Sequence, residues 1–416
     1  MKKSLIIIAG LLFILNSCKQ NVQTSSQDVQ STQSSQNSQW RGENRDGVYN
    51  ESGLLKVWPE DGPELLWSYE GLGAGFTSAA IANEKLYITG LIEDNLVLYV
   101  LNLNGELLNK KELTKEESER WPGPRSTINV NDGKLYIYNA FGELICLNEN
   151  TLNEVWKKEI HIEFEGKDTD WGYTESPLIV GDVLFITPGG EQNNMVALNK
   201  NTGDLIWTSP GERTISAYCS PQYIDNQSIP IIVTSFGDYI VGFNAETGEK
   251  LWSHPQSHEY NVHPNTVLYH DDMILSTAGY RVGSVMLRMT DSGKTIEEVW
   301  RNEVDNQMGG AVKVGNYIYA SGHQNRNWFC VDWNTGEIKY RVMDMAPCNV
   351  IYADNMLYCY SERGEVYLVK PNPEELEIVS RFKVTLGTEQ HWAHPVIYDG
   401  VLYIRHGDAL MAYKVK

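Results

Sequence analysis

Short apolar runs recur along the chain from about residue 80 to the C-terminus. Each run is rich in Leu, Ile, Val and Tyr, and polar turn residues follow it. Clear examples are Lys85–Gly90, Lys134–Tyr138, Val183–Thr187 and Val401–Arg405. Runs of β-branched and aromatic residues between polar turns are typical of buried strands. The pattern therefore predicts an all-β fold.

A second motif follows most of these runs at a regular spacing. Asn199–Trp207 and Asn244–Trp252 both read N-x-x-T-G-[DE]-x-x-W, and Asn148–Trp156 and Asp332–Tyr340 are degenerate copies. A period of about 40–50 residues indicates a propeller rather than a helical solenoid. Each repeat supplies four strands, and the Thr-Gly pair forms the tight turn between the third and the fourth. We expect the Trp residues that end the repeats to pack between blades.

Counting the first strand of each repeat predicts eight blades. These strands are expected to begin near Ser78, Ser126, Ser176, Ser220, Asn265, Gly309, Asn349 and Ala393. The last repeat ends at Lys416 after its third strand, whereas Leu65–Glu70 precedes the first repeat as an extra strand. We predict that this N-terminal strand completes the final blade and closes the ring, which removes exposed strand edges. Residues 63–416 are thus expected to form an eight-bladed β-propeller of four-stranded antiparallel blades, with a short helical turn at Thr114–Arg120.

The N-terminus has the pattern of a targeting segment. Lys2 and Lys3 precede the apolar run Leu5–Leu15, and Cys18 follows shortly after. This arrangement predicts a secretory signal peptide over residues 1–17. The sequence Leu15-Asn-Ser-Cys18 resembles the lipobox of bacterial lipoproteins, which implies lipidation of Cys18. The alternative is an ordinary signal peptide with an incidental cysteine.

Two further segments separate this N-terminus from the repeats. Residues 18–39 are rich in Gln, Ser and Asn and predict a flexible linker behind the lipid anchor. Residues 40–62, called the lead-in below, are expected to pack on the propeller. The predicted location is outside the inner membrane, as an outer-membrane lipoprotein on the periplasmic side or at the cell surface.

Composition narrows the function classes. The 416 residues include 12 Trp and 23 Tyr against 9 Phe, a balance that suits pleated, half-buried surfaces. There are 34 Lys and Arg against 54 Asp and Glu, so the net charge is −20. Nucleic-acid phosphates would be repelled by such a surface, and a nucleic-acid partner is therefore excluded.

The Trp-ending repeat resembles the tryptophan-docking repeat of the pyrroloquinoline quinone (PQQ)-like propellers. That superfamily includes quinoprotein alcohol dehydrogenases and the propeller lipoprotein of the outer-membrane β-barrel assembly machinery. Trp40–Gly47 and Leu54–Pro59 resemble the start of bacterial secreted members with PQQ-binding-like repeats. The resemblance extends from about Trp40 to the C-terminus.

The resemblance implies PQQ with calcium as one candidate cofactor set. In the dehydrogenases, an adjacent cysteine pair and a Trp enclose the quinone, Glu and Asn hold calcium, and an Asp is the base. This chain contains no Cys-Cys dipeptide and no C-x-x-C-H haem motif. No catalytic residue, metal ligand or certain cofactor is therefore assigned.

The remaining cysteines are expected to be small buried hydrophobes. They are Cys146, Cys219, Cys330, Cys348 and Cys359, all in or beside predicted strands. Cys348 and Cys359 fall on neighbouring strands of the seventh blade, so a disulfide between them is an alternative to two thiols.

Candidate binding residues lie in the loops that precede the first strands, which converge on one face of a central funnel. They are Arg125, Trp171, Tyr173, Glu175, Arg213, Tyr218, His263, His391, Trp392 and His394. A concave site with convergent polar groups and aromatic walls is a ligand-binding hypothesis.

These residues also have structural interpretations. Trp171 and Trp392 could pack between blades, and Arg125 could pair with Glu175 to plug the channel. His391 and His394 are three residues apart on or near a strand, which points them to opposite faces and disfavours a shared metal.

The sequence supports two main functional hypotheses and a third with less support. The first is a lipid-anchored, non-catalytic binding or scaffold module for a protein, glycan or small ligand, acting as a monomer or a complex subunit. The second is a PQQ-dependent alcohol or sugar dehydrogenase, in which Trp171 or Trp392 stacks on the quinone and Arg125 or Arg213 meets its carboxylates. The third is a hydrolase or lyase that uses His391 and Glu175 as acid and base.

Overall fold

The repeats form eight four-stranded antiparallel sheets, which are the blades of an eight-bladed β-propeller. The computed structural model describes Met1 and residues 38–416. The predicted all-β, eight-bladed fold is confirmed. Each first strand begins within three residues of its predicted start.

The strands of the first four blades follow one another in sequence. Blade 1 has Ala80–Ala82, Lys85–Ile92, Asn95–Asn102 and Leu107–Lys115, and blade 2 has Asn129–Asn131, Lys134–Tyr138, Glu143–Asn148 and Glu154–Glu159. Blade 3 has Leu178–Val180, Val183–Ile186, Met195–Asn199 and Leu205–Ser209, and blade 4 has Gln222–Ile224, Ile231–Ser235, Tyr239–Asn244 and Lys250–Pro255.

The remaining blades include two that recruit N-terminal strands. Blade 5 has Leu268–His270, Met273–Ala278, Gly283–Thr290 and Thr295–Asn302, and blade 6 has Val312–Val314, Tyr317–Ser321, Trp328–Asp332 and Ile338–Val342. Blade 7 has Cys348–Ala353, Met356–Ser361, Glu365–Lys370 and Glu377–Lys383, with Val48–Tyr49 added in parallel to its first strand. Blade 8 has Val396–Tyr398, Val401–His406 and Ala409–Lys414, with Leu65–Glu70 as its outer strand.

The helical turn predicted at Thr114–Arg120 is wrong. The strand Leu107–Lys115 runs through its first residues, and an irregular loop follows. The Glu117 carboxylate accepts hydrogen bonds from the backbone N–H groups of Glu119 and Arg120, at 2.7 and 3.0 Å. Such side-chain bonds compete with helix formation. The helical segments of the described residues lie elsewhere, at Ile160–Glu163 and Asp291–Gly293.

Each repeat Trp docks on the turn of the next blade, as the sequence predicts. Trp207 of blade 3 donates through Nε1 to the carbonyl oxygen of Ala245 in blade 4, at 3.2 Å. Its ring lies so close to Gly248 that a Cβ atom there would be 2.5 Å from it. The Gly of the Thr-Gly pair is therefore required by the close approach of the Trp as well as by the turn. Equivalent contacts join Trp156 to Gly203 and Trp300 to Gly336.

The same contact links blade 8 to blade 1. Leu65–Glu70 pairs with Ala409–Lys414, and Trp67 donates to the carbonyl oxygen of Leu103 at 2.8 Å. A Cβ atom on Gly105 would lie 2.5 Å from the Trp67 ring. Closure of the ring by the N-terminal strand remains a prediction, and these contacts support it.

The first described residues fill the central channel. Residues 38–49, called the axial plug below, contact the first strands of several blades. Arg41 donates to the carbonyl oxygen of Ala311 at 2.8 Å, and Arg45 donates to those of Ser176 and Pro221, at 3.1 and 2.9 Å. The plug ends in Val48–Tyr49, beside blade 7. The channel is therefore closed beneath the funnel face by the chain itself.

Arginine packing in the plug depends on glycines. A Cβ atom on Gly47 would lie 2.4 Å from the Arg41 guanidinium, and one on Gly310 would lie 2.0 Å from it. Both glycines have positive φ. The run Trp40–Gly47 thus supplies two buried arginines and a glycine that makes room for one of them.

Several N-terminal predictions fall outside the described residues. These are the signal peptide, the lipidated Cys18 and most of the linker. No helix in the described part of the chain is long and apolar enough to cross a membrane. All five cysteines from Cys146 onward are free and buried. The thiols of Cys348 and Cys359 are close neighbours, but the alternative of a disulfide between them is not realised.

Candidate functional site

A cavity of about 320 Å³ lies at the funnel face, above the axial plug. Its lining comes from the loops before the first strands of several blades, from the connection between the second and third strands of blade 5, and from the plug. We call it the funnel cavity. Its lining residues are Trp40, Phe76, Trp121, Arg125, Trp171, Thr174, Ser176, Tyr218, Ser220, Val262, Pro264, Tyr280, Gln307, Met308, Trp392 and His394.

Aromatic rings form most of the wall. Trp392 packs against Phe76 with ring centroids 5.0 Å apart and against Trp121 at 4.9 Å. Trp40 meets His394 edge-on at 4.6 Å. Trp121 is 46% exposed although it is a large apolar side chain. Exposed aromatic surface gathered in a concavity marks a binding site.

Arg125 fixes the position of the wall through hydrogen bonds from both Nη atoms to backbone carbonyls. Its Nη1 donates to the carbonyl oxygen of Trp171 at 2.6 Å. Its Nη2 donates to those of Arg120 and Trp121, both at 3.0 Å. One guanidinium therefore ties together the loops that carry two of the four cavity tryptophans.

His394 is held in one uncharged form at the floor of the cavity. Arg41 in the plug donates to its Nδ1 at 3.1 Å, so Nε2 carries the proton and donates to the carbonyl oxygen of Met308 at 2.7 Å. Burial and the Arg41 charge lower the pKa of His394 to about 3. The imidazole is neutral at physiological pH and acts as a structural contact.

Phenol and amide groups are interspersed among the rings. Gln307 donates from Nε2 to the Tyr280 hydroxyl at 2.7 Å, and Thr169 donates to the Tyr218 hydroxyl. Burial raises the pKa of Tyr218 to about 12, so its hydroxyl keeps its proton. The cavity thus offers neutral polar groups beside apolar faces.

Five of the ten predicted site residues line the funnel cavity, and five do not. The residues brought together are Arg125, Trp171, Tyr218, Trp392 and His394. Outside it, Tyr173 is buried and donates to the carbonyl oxygen of Pro188 at 2.9 Å, whereas Arg213 is exposed. His263 is buried and contacts the carbonyl oxygen of Gly237 at 3.2 Å.

Glu175 belongs to a buried layer with the plug. Its carboxylate accepts hydrogen bonds from the backbone N–H of Thr187 at 2.8 Å and from the Thr187 hydroxyl. Burial raises its pKa to about 7, and the nearby Arg45 charge opposes that rise. The expected alternative of an Arg125–Glu175 pair is wrong, because Arg125 donates to backbone carbonyls instead.

His391 faces a different set of partners from both His394 and Glu175. Its ring stacks on His406 with centroids 3.7 Å apart, and its Nδ1 lies 2.5 Å from the Tyr360 hydroxyl. Burial and the neighbouring His406 lower its pKa to about 4. No contact joins His391 to Glu175 in the described part of the chain, so the acid–base pair of the third hypothesis is not assembled.

Sequence reasoning missed several wall residues, above all Trp40 and Trp121. Trp40 lies in the lead-in, for which the sequence predicts only packing on the propeller, and Trp121 follows the segment with the predicted helical turn. Trp121 stands in the run Trp121-Pro-Gly-Pro-Arg125. A Trp in a loop rich in Pro and Gly cannot be a repeat Trp, which was the available signal that it serves another purpose.

The lining does not fit PQQ with calcium. Flat aromatic walls could face a planar quinone, but no lining residue carries a carboxylate. Calcium in proteins is held by carboxylate and carbonyl oxygens. Across the described residues, no group of three or more His, Cys, Asp or Glu side chains is placed to hold a metal ion.

Comparisons with known proteins find quinoprotein alcohol dehydrogenases and BamB. The quinoprotein alcohol dehydrogenase PedH of Pseudomonas putida is 21% identical over 202 residues, which are 44% of this chain and 34% of that protein. A quinoprotein ethanol dehydrogenase of Pseudomonas putida is 26% identical over 149 residues, which are 33% and 24% of the two chains. The chain thus spans about a third or less of the length of these curated relatives.

Solved structures show the same fold. BamB from Moraxella catarrhalis superimposes with a TM-score of 0.63 at 13% identity, over 85% of this chain and 99% of that one. The quinohemoprotein alcohol dehydrogenase from Comamonas testosteroni gives a TM-score of 0.64 at 12% identity, over 92% and 80%. At these identities the likeness concerns the fold alone.

A family model described as "Outer membrane protein assembly factor BamB" matches residues 93–222 and 165–374. These matches cover more than half of the chain and include most of the repeats. The protein therefore belongs to this BamB-like family of PQQ-repeat propellers.

Proposed function

We propose that the protein is a lipid-anchored propeller of the bacterial cell envelope that binds a partner or ligand in the funnel cavity without transforming it. The observation that carries the proposal is the aromatic wall of a 320 Å³ cavity that lacks a carboxylate. The lining supplies faces for contact and neutral groups for hydrogen bonds. It does not supply an acid–base pair or a metal-ligand set.

The position of the cavity also supports a binding role. The axial plug occupies the channel beneath it, and the cavity lies on the funnel side of the plug. The family match to an assembly factor is consistent with a subunit that holds other molecules. Anchoring through Cys18 would keep the protein at a membrane.

Site-specific photo-crosslinking in intact cells tests the proposal. A photoreactive amino acid replaces Trp121 in the cavity wall or, as the control, Ile162, which is 69% exposed and does not line the cavity. A discrete adduct at position 121 and none at position 162 is expected. The same pair in a Cys18→Ser background shows whether the adduct requires the anchor.

No adduct at position 121, or the same adducts at both positions, would contradict a funnel-face binding role.

The dehydrogenase alternative is tested separately by equilibrium dialysis with PQQ and calcium. We expect no uptake of PQQ at a tenfold molar excess over protein at about micromolar concentration. Stoichiometric uptake with a quinone absorbance band, followed by reduction of a dye by an alcohol or sugar, would favour the dehydrogenase over the binding module.

A further inference from the structure

We propose that the ligand of the funnel cavity is a neutral carbohydrate, one or two sugar rings of an uncharged oligosaccharide. The inference rests on the proposed binding function and names the ligand class for the same cavity. Three properties of the lining support it: the arrangement of aromatic faces, the charge, and the kind of hydrogen-bonding group.

Aromatic rings surround the cavity on several sides. Trp121 and Trp392 belong to one packed group with Phe76, Trp171 comes from the loop before blade 3, and Trp40 comes from the plug. Aromatic rings are negative on their faces, and the C–H groups on the two sides of a sugar ring carry partial positive charge. A sugar ring can therefore stack between such walls without burying its hydroxyl edge against them.

The charge of the lining disfavours ionic ligands. A cationic ligand would find no carboxylate in the wall and would lie near Arg125. A multiply anionic ligand would find only that one guanidinium, whose two Nη atoms already donate to three backbone carbonyls. His394 is neutral because its pKa lies far below physiological pH. An uncharged ligand fits these groups best.

The polar groups present are those that hydroxyl groups pair with. In the hydrogen bonds of the described residues, the Tyr218 and Tyr280 hydroxyls each accept one bond and keep a proton to donate. Thr174, Ser176 and Ser220 add three more hydroxyls to the lining. A few such groups among aromatic surfaces give orientation and specificity.

A peptide segment is the competing ligand. Every peptide residue carries a backbone N–H and C=O that must be paired when buried. The funnel cavity offers mainly ring faces and side-chain hydroxyls, and its volume of 320 Å³ lies near the lower end for ligand pockets, about 300–1,000 Å³. A peptide of the same size as a sugar ring would leave more of its polar groups unpaired against such a wall.

Isothermal titration calorimetry with the purified full-length protein tests the inference. The probes are neutral gluco-, xylo- and manno-oligosaccharides, a glucuronate-containing oligosaccharide and an uncharged apolar hexapeptide. At least one neutral oligosaccharide is expected to bind saturably and to change the tryptophan fluorescence. The acidic sugar and the peptide should bind at least about tenfold more weakly.

Variants at Trp121 give the structural control, because this side chain is substantially exposed and its loss should not prevent folding. Trp121→Ala should weaken binding of the sugar by at least about tenfold, whereas Trp121→Phe, which keeps a ring, should retain most of it. Ile162→Ala, outside the cavity, should leave the affinity unchanged.

The outcomes separate the two levels of proposal. If no neutral sugar binds, or Trp121→Ala binds as tightly as the unmodified protein, the carbohydrate inference is overturned. If position 121 still crosslinks specifically in cells, or the hexapeptide binds instead, the proposed binding function is retained and only the carbohydrate assignment fails. If neither crosslinking nor any probe engages the cavity, both fail.

Discussion

Arg45 and Glu175 are buried charged residues in the layer beneath the funnel cavity. Glu175 is 0% exposed, and Arg45, which is 2% exposed, is the nearby charge that stabilises its ionised form. Burial lowers the pKa of Arg45 to about 9 and raises that of Glu175 to about 7. Both shifts have the same cause, which is the loss of water around an ionised group. The two residues therefore link stability to pH.

The sign of this link predicts the behaviour of Glu175→Gln. The pKa of Glu175 is raised from 4.5 to about 7 on folding, so the folded state binds the proton more tightly than the unfolded chain. The contribution of this raised pKa to the free energy of unfolding is fully present below pH 4.5 and is lost as pH rises through about 7. From pH 5 to pH 8, the unmodified protein should lose about 1–3 kcal/mol of unfolding free energy relative to the Gln variant.

Denaturant unfolding of both proteins at several pH values measures this difference. The buried histidines are common to both and cancel in the comparison. Parallel pH profiles would show that Glu175 is ionised at little cost in the folded protein.

Among the elements, the axial plug is the one that repeat counting does not account for. Arg45 donates to the carbonyl oxygens of Ser176, Pro177 and Pro221, which belong to the approaches to blades 3 and 4. Without it the carbonyls of Ser176 and Pro221 would lose a buried donor, and that of Pro177 would keep only Asn129 Nδ2 at 3.4 Å. Buried groups that lose their partners are costly. The plug is therefore part of the folded core.

Arg45→Met tests whether the plug is integral to stability. The control is Arg213→Met, because Arg213 has almost the same left-handed backbone, φ 59° against 58°, but is exposed. Arg45→Met should lower the free energy of unfolding by at least about 2 kcal/mol, and Arg213→Met should change it by less than about 0.5 kcal/mol. Equal effects of the two substitutions, measured by chemical denaturation, would mean that the plug is only loosely held.

The elements also show how far the sequence determines the structure. The eight blades were predictable because each strand and Thr-Gly turn is specified within its own repeat, as in Asn199–Trp207. The cavity was only half predictable, because its wall depends on contacts between distant segments. Trp40 lies beside His394, and Trp121 beside Trp392, through tertiary packing that no local pattern encodes. The predicted helical turn is wrong for a local reason, because the Glu117 carboxylate accepts hydrogen bonds from backbone N–H groups two and three residues further along the chain.

For the whole molecule, the contact between blades 8 and 1 decides whether the propeller behaves as a closed ring. Trp67 docks on Gly105 as Trp207 docks on Gly248. Arg405 of blade 8 adds donors to the carbonyl oxygens of Thr89 and Gly73, at 2.6 and 3.3 Å. This junction joins residues more than 300 positions apart, so its loss should release both ends of the repeat array.

Alanine substitution at matched glycines tests this junction. Gly105, Gly248 and Gly133 all have positive φ, at 83°, 74° and 70°, but a Cβ atom on Gly133 would meet nothing within 4 Å. Gly133→Ala should cost about 1–2 kcal/mol from backbone strain alone. Gly105→Ala and Gly248→Ala should each cost about 1–3 kcal/mol more, because the added methyl displaces a docked Trp.

Thermal and chemical unfolding of the three variants gives the comparison. If Gly105→Ala matches Gly133→Ala while Gly248→Ala is more destabilised, the blade 8–blade 1 junction is open and the ring is not closed by the N-terminal strand.

The axial plug has a consequence for the order in which the chain acquires its structure. Its partners include Ala311 and His394, which are synthesised long after Arg41. The earliest segment of the propeller can therefore complete its contacts only when nearly all later blades exist. A chain truncated before the last blade would lose the His394 acceptor of Arg41, whereas the acceptors of Arg45 at Ser176, Pro177 and Pro221 would remain. Completion of the fold and construction of the cavity floor are then a single late event.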